Sequence, residues 1–150
     1  MGVNLEPHEI EEYMQTQLRA ILCVTRPGKA PFAAPMWFAW MDGKVVMHTL
    51  LTSKKVDYIR ASPLVTCVVE SGEHYYTLKA VLLMGHCEVI DDQEIVRAEM
   101  ERMKAAKPMY DRLRPDQWPA HLERHYAKPR ALLRLTPHNI TSWDFKKIRT

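Results

Sequence analysis

The stretch Pro31-Phe32-Ala33-Ala34-Pro35-Met36-Trp37-Phe38-Ala39-Trp40-Met41-Asp42-Gly43-Lys44-Val45-Val46-Met47-His48-Thr49-Leu50-Leu51-Thr52-Ser53-Lys54-Lys55-Val56 decides the fold. Asp42-Gly43 is a strong signal for a two-residue hairpin turn, because Asp and Gly tolerate the positive φ that such turns need. It stands between two apolar runs. Ala33 to Met41, with Trp37, Phe38 and Trp40, predicts a strand, and Lys44 to Leu50 predicts its antiparallel return. The return ends in His48-Thr49. A short helix is then predicted over Thr52 to Ala61, capped by Thr52 or Ser53. Ser62-Pro63 ends it, since the residue before a proline avoids the helical region.

The start of that helix is the most informative place for chemistry. Free backbone N–H groups and the positive end of the helix dipole attract anions. Ser53, Lys54 and Lys55 add a hydroxyl and two ammonium groups there, which would complete a phosphate site. The plainer alternative is a capped helix with two solvated lysines, and on spacing alone it is the favoured one.

Working outward, Glu6 to Ala20 predicts a helix with its acids early, followed by a strand over Ala20 to Arg26 and a turn at Pro27-Gly28-Lys29. Beyond the short helix, Leu64 to Glu70 predicts a strand and Ser71-Gly72-Glu73 a turn. Tyr75 to Ile90 predicts a long strand, with Gly85 as a bulge or close-contact point. Asp91-Asp92 opens a helix to about Lys107, with Ile95, Val96, Met100 and Met103 on one face. Pro108, Pro115 and Pro119 then break the chain into shorter helical pieces. Ala131 to Leu135 and Asn139 to Phe145 predict two closing strands. Antiparallel neighbours joined by tight turns, with few helices between, point to a small closed barrel rather than a doubly wound sheet. The expectation is a mainly β protein with flanking helices, a single domain over residues 1–150 with a helical insertion at about 91–127.

Composition narrows the function classes. A hydrophobic share of 47% and a charged share of 26% belong to a globular chain. The length is too short for a two-half dinucleotide fold with a separate substrate domain. The longest uncharged run, Ala30 to Met41, falls well below the roughly 20 residues of a membrane span. The N-terminus carries Glu6 and Glu9 and no basic region, so no signal peptide is expected. Cys23, Cys67 and Cys87 form neither a disulfide framework nor a zinc spacing, and suit a cytoplasmic protein with buried, inert thiols. Residues 97–150 hold thirteen basic and six acidic side chains, but these alternate at helical spacing, which favours a solvated face over a nucleic-acid site. His121 and His125 share a helix face without a third ligand, and His86 and Cys87 point to opposite sides of a strand, so no metal is expected. No phosphate-binding P-loop or Gly-x-Ser-x-Gly element occurs.

The run from Pro31 to Pro63 resembles the FMN-binding split-barrel family, the pyridoxamine 5'-phosphate oxidase-like proteins. The shared features are the strand ending in Asp42-Gly43, the strand ending in His48-Thr49, the Ser53-Lys54-Lys55 element, and Ser62-Pro63-Leu64-Val65. The long strand with Gly85 and the ending Ile140-Thr141-Ser142-Trp143-Asp144 also resemble members of the family. The resemblance covers most of residues 18–91 and 129–147. It implies an antiparallel, Greek-key-like split β-barrel of FMN-binding type. It also implies a homodimer whose two chains share each cofactor site.

By the same resemblance, Lys54 and Lys55 would hold the FMN phosphate with Ser53 beside them, and His48 and Thr49 would lie along the ribityl chain. Pro35, Met36, Trp37 and Phe38 would present backbone to the isoalloxazine. Lys79 would reach in from the neighbouring subunit as the catalytic, charge-stabilising group, and Trp143 would pack near the ring or the dimer seam. The sequence departs from true pyridoxamine phosphate oxidases in three ways. The Arg and Lys that bracket the second strand are missing, the basic pair is Lys-Lys where Arg-Lys is common, and Ser142-Trp143-Asp144 stands where an Arg-x-His element grips the vitamin phosphate. The pattern lies nearer the general flavin or deazaflavin reductases of the superfamily.

The expected activity is therefore hydride transfer to or from a small organic substrate, with FMN supplying the redox chemistry and the protein supplying position and electrostatics. A deazaflavin in place of FMN is the first alternative, and a non-catalytic flavin- or haem-related binding protein the second. No nucleic-acid or membrane partner is expected. Tyr110, Trp118 and His125, within residues 103–126, are candidates for a segment covering the ring.

Overall fold

The computed structural model describes residues 2–107 and 119–148. Its strands are β1 (Arg19–Val24), β2 (Phe32–Trp37), β3 (Ala39–Met41), β4 (Lys44–Leu50), β5 (Leu64–Ser71), β6 (Lys79–Ile90) and β7 (Arg130–Asp144). Among the described residues the helices are α1 (Pro7–Thr16), α2 (Lys54–Ala61), α3 (Gln93–Ala106) and α4 (Ala120–Ala127). One sheet runs in the order β2-β1-β5-β6-β7-β4-β3, with every pairing antiparallel. This is the split-barrel architecture, curled with helices around it. The Asp42-Gly43 turn forms as expected, with φ 55° and 70° at its two residues.

The spine is the pairing of β6 with β7. Lys79 opposes Asp144 at one end and Ile90 opposes Leu132 at the other. Midway the register slips: Met84 faces Asn139 but Gly85 faces Pro137. Gly85 is the close-contact point the sequence predicts. A Cβ there would lie 2.0 Å from the Thr136 carbonyl oxygen. The two predicted closing strands are in fact one, because this bulge bends β7 without ending it. Pro137 has no N–H to donate, and a bulge is where a strand tolerates that.

Two further expectations need correcting. The aromatic run is two strands, not one. At Phe38 the backbone N–H donates to the Leu18 carbonyl at 3.2 Å, and the chain changes partner from β1 to β4. The long strand starts at Lys79 and not at Tyr75. Tyr75–Thr77 instead form a 3-10 turn, in which the Thr77 hydroxyl accepts from the His74 N–H at 3.1 Å and donates to the His74 carbonyl at 3.0 Å.

The concave face of the sheet holds the main core, with Leu22, Val45, Met47, Cys67, Leu83 and Leu133 among its members. Tyr13 and Met14 of α1 and Ile59 of α2 pack into it. A second cluster joins Ala39, Val46 and Leu132 to Val96 and Met103 of α3. Ile95, predicted on the buried face of that helix, is instead exposed. Cys67 and Cys87 are buried, and burial pushes both thiols up to about 12, as expected of inert cysteines. The convex face is apolar as well. Pro35, Ile21, Val68 and Leu82 lie in one cross-strand row, with Leu64 and Met84 on the same face and Trp37 42% exposed beside them. No helix among the described residues is long and apolar enough to cross a membrane.

Gly85→Ala should destabilise the protein by about 1–3 kcal/mol through overpacking against backbone. Urea unfolding reads this directly, and an unchanged midpoint would mean that the bulge opens freely.

Candidate functional site

β2 is the terminal strand of the sheet. One of its edges is paired with β1, while the other faces β4, which it contacts without pairing. The barrel is therefore split between β2 and β4, and a row of β2 backbone groups faces the split. An edge strand of this kind offers its N–H and C=O groups to any partner that fits. Within β2, Pro35 and Trp37 face outward, Met36 is half-buried against the core, and Phe38, just beyond, is fully buried. Of the four residues expected along the ring, Phe38 thus has its side chain buried in the core and its N–H bonded to the Leu18 carbonyl.

The Phe38 ring also has a partner that sequence reasoning missed. The Lys107 ammonium stands 3.4 Å from its centroid and donates a hydrogen bond to the Gln17 carbonyl. Lys107 is fully buried, and among the described residues it has no carboxylate partner. Desolvation therefore pulls its pKa down to about 7. It ties the end of α3 to the start of β1 and to the point where the aromatic strand changes partner.

One end of the split is lined by the start of α2. The Ser53 N–H donates to the Leu50 carbonyl at 2.9 Å, and its hydroxyl accepts from the Lys55 N–H at 3.4 Å. The plainer reading is thus correct about Ser53, whose oxygen caps the helix. Lys54 is exposed. Lys55 is half-buried, and desolvation lowers its pKa. Phe32 of β2 and Tyr58 of α2 bring the strand and the helix together, with ring centroids 6.1 Å apart.

His48 and Thr49 point to opposite sides of β4. Thr49 is buried on the side of Val45 and Met47, whereas His48 meets Tyr126 of α4 edge-on at 5.9 Å. Arg130, directly opposite Leu50, lays its guanidinium over the Tyr126 ring at 4.7 Å, and desolvation lowers its pKa. This third cation near the start of α2 also escaped sequence reasoning. It stands 75 residues beyond Lys55, and only the pairing of β4 with β7 brings it there.

Lys79 and Trp143 lie at the other end of the long strands. β6 runs twelve residues from Lys79 to Ile90, on the order of 35 Å of strand. The Lys79 ammonium sits 4.9 Å from the Tyr13 ring centroid, and the Tyr13 hydroxyl donates to the Lys79 carbonyl at 3.0 Å. Trp143 opposes Ala80 and is half-buried. Within one chain Ser53, Lys54 and Lys55 thus stand at one end of the split, His48 and Thr49 turn to opposite sides of the strand that leads there, and Lys79 and Trp143 lie at the other end of β6 and β7. Tyr110 and Trp118 lie outside the described residues, and His125 is exposed on α4. No metal-ligating cluster of three or more His, Cys, Asp or Glu occurs among the described residues.

The family profile described as pyridoxamine 5'-phosphate oxidase matches residues 7–144, and the chain belongs to that family. Among solved structures it is similar to a conserved hypothetical protein from Mycobacterium tuberculosis, with TM-score 0.77 and 22% identity over 97% of this chain and 88% of that one. It is also similar to an FAD-binding protein from Mesorhizobium loti, with TM-score 0.69 and 18% identity over 95% and 96% of the two chains. A third similar structure is an F420 reductase, with TM-score 0.64 and 21% identity over 87% and 94%. At these identities the likeness is one of fold. No curated protein matches the chain.

Lys107 makes stability depend on pH. Its folded pKa of about 7 lies below the ordinary lysine value, so between these limits the unfolded chain binds more protons and stability rises with pH. Lys107→Met should remove this rise. Urea unfolding near pH 7 and near pH 10 should show a smaller stability gain for the variant than for the wild type, and equal gains would sink the assignment.

Proposed function

We propose that this chain is a flavin-dependent oxidoreductase that binds FMN in the split between β2 and β4 and works as a homodimer. One observation carries the reading: the strand with an unshared edge meets, through Phe32 and Tyr58, the helix whose first turn bears Lys54 and Lys55. The split supplies backbone donors and acceptors for the edge of a flat heterocycle. The first turn of α2 supplies N–H groups, the dipole and two ammonium groups for a phosphate. Arg130 adds positive charge at the same end. When bound, the flavin supplies the hydride chemistry.

The protein's own part is to position the ring and set its electrostatics. The β2 backbone orients the ring edge, and the apolar side chains of Pro35 and Trp37 keep water from that side of the strand. The Lys79 ammonium, from the second subunit, stabilises negative charge on the reduced ring. Two features support the shared site. Lys79 stands at the opposite end of β6 from Ile90, the end that lies nearer β4 and the start of α2, and away from the β1–β5 opening the convex face carries apolar side chains, Leu64 and Met84, of the kind that a second copy covers.

A deazaflavin is the second reading. Lys54 and Lys55 are point charges without the bidentate fork of arginine, so they are less selective for a terminal phosphate. The F420 reductase shares the fold.

The visible spectrum of the purified protein separates the readings. FMN should colour it yellow, and Lys54→Ala with Lys55→Ala should weaken FMN binding by about tenfold or more. A colourless protein that FMN cannot colour but a deazaflavin can would favour the second reading. Lys79→Ala should lower the reduction potential of the bound flavin while the protein remains folded. An unchanged potential and unchanged affinity would remove Lys79 from the mechanism.

A further inference from the structure

A cleft of about 430 Å³ opens on the convex face of the sheet, within the usual range for small-molecule sites of about 300–1,000 Å³. Its cause lies in the strands. β1 begins at Arg19 and β5 extends to Ser71, yet they pair only over Ile21–Cys23 and Thr66–Val68. Beyond Ile21 and Val68 the ladder stops. Arg19 and Glu70 are the next residues on the same face of the two strands, one on each side of the opening.

Opposite charges placed across neighbouring strands ordinarily pair. Arg19 and Glu70 do not: neither takes part in an ion pair among the described residues, and both are exposed to the cleft. Ile21, Val68 and Pro35 form an apolar floor beneath them, and Gln17 also lines the cleft. Pro35 belongs to the β2 segment along which the flavin ring is proposed to lie.

We propose that this cleft is the substrate site, and that it takes a small, flat, unsaturated molecule carrying an acidic group at one end and an N–H donor at the other. The acidic group pairs with the Arg19 guanidinium. The donor is accepted by the Glu70 carboxylate, and the flat body rests on Ile21, Val68 and Pro35. A ligand with only one of these groups gains one charged pair where the two-group ligand gains both, which is how the cleft discriminates. The inference rests on the flavin reading for its statement that the occupant is the substrate. The cleft itself does not depend on that reading.

The test uses the full chain, with and without FMN, and three probes: 4-aminobenzoate, benzoate and aniline. Binding is read by calorimetry and, with FMN present, by the shift of the flavin bands. The expected order places 4-aminobenzoate tightest. Arg19→Gln should weaken 4-aminobenzoate and benzoate by about tenfold and spare aniline. Glu70→Gln should weaken 4-aminobenzoate and aniline and spare benzoate. Equal affinities for the three probes, or variants that bind as the wild type does, overturn the proposal. Loss of FMN itself from Arg19→Gln also overturns it, since the cleft would then hold the cofactor. A wild type that takes up no FMN defeats the flavin reading instead, and calorimetry on the cofactor-free protein still decides the cleft.

Discussion

The close approach of Gly85 to the Thr136 carbonyl is the constraint on which the rest of the structure depends. Because no Cβ intervenes, β7 can bulge at Pro137 and remain paired with β6 on both sides of the bulge. A bulge increases local twist and bends the strand. The first half of β7 is thereby free to pair with β4 as well. That second pairing curls the sheet until β4 meets β2, while β2 keeps one edge unshared. The split between β2 and β4 is thus a consequence of how β7 bends.

The charges are arranged around this geometry with little regard to net charge. Lys54, Lys55 and Arg130 gather at one end of the split, Lys79 at the far end of β6, and Arg19 and Glu70 at the open end of the β1–β5 ladder. Most are partly exposed, so solvent screens them. Lys107 differs. It is fully buried, over an aromatic ring and against one carbonyl, and it stands next to the residue where the aromatic run changes partner. A charge so placed is costly to hold and sensitive to pH.

Much of the local structure was legible. Asp42-Gly43 gave its turn away because few residue pairs accept two successive positive φ values. Ser53 was a cap by its chemistry, and Pro63 a stop by its ring. Gly85 in an otherwise apolar strand marked a backbone contact before any partner was known. The break at Phe38 was hidden, because one unbroken apolar run serves equally for one strand or for two that meet different neighbours. The single strand from Arg130 to Asp144 was hidden for the opposite reason, since Pro137 and His138 read as an end when they are a bulge. Resemblance to the family placed Lys54 and Lys55 at a ligand site, where spacing alone favoured a plain helix cap.

What the sequence determined by itself is the set of local conformations and the residue types available for chemistry. Turn and cap preferences act over a few residues, and so they survive without a fold. What the tertiary structure decided is which groups meet. Arg130 beside Leu50, Lys107 on Phe38, and Arg19 facing Glu70 all join residues far apart in the chain, and their neighbours follow from strand order and register. Register depends on the whole sheet closing on one core. The split, the buried lysine and the charged cleft therefore exist only once that core has formed.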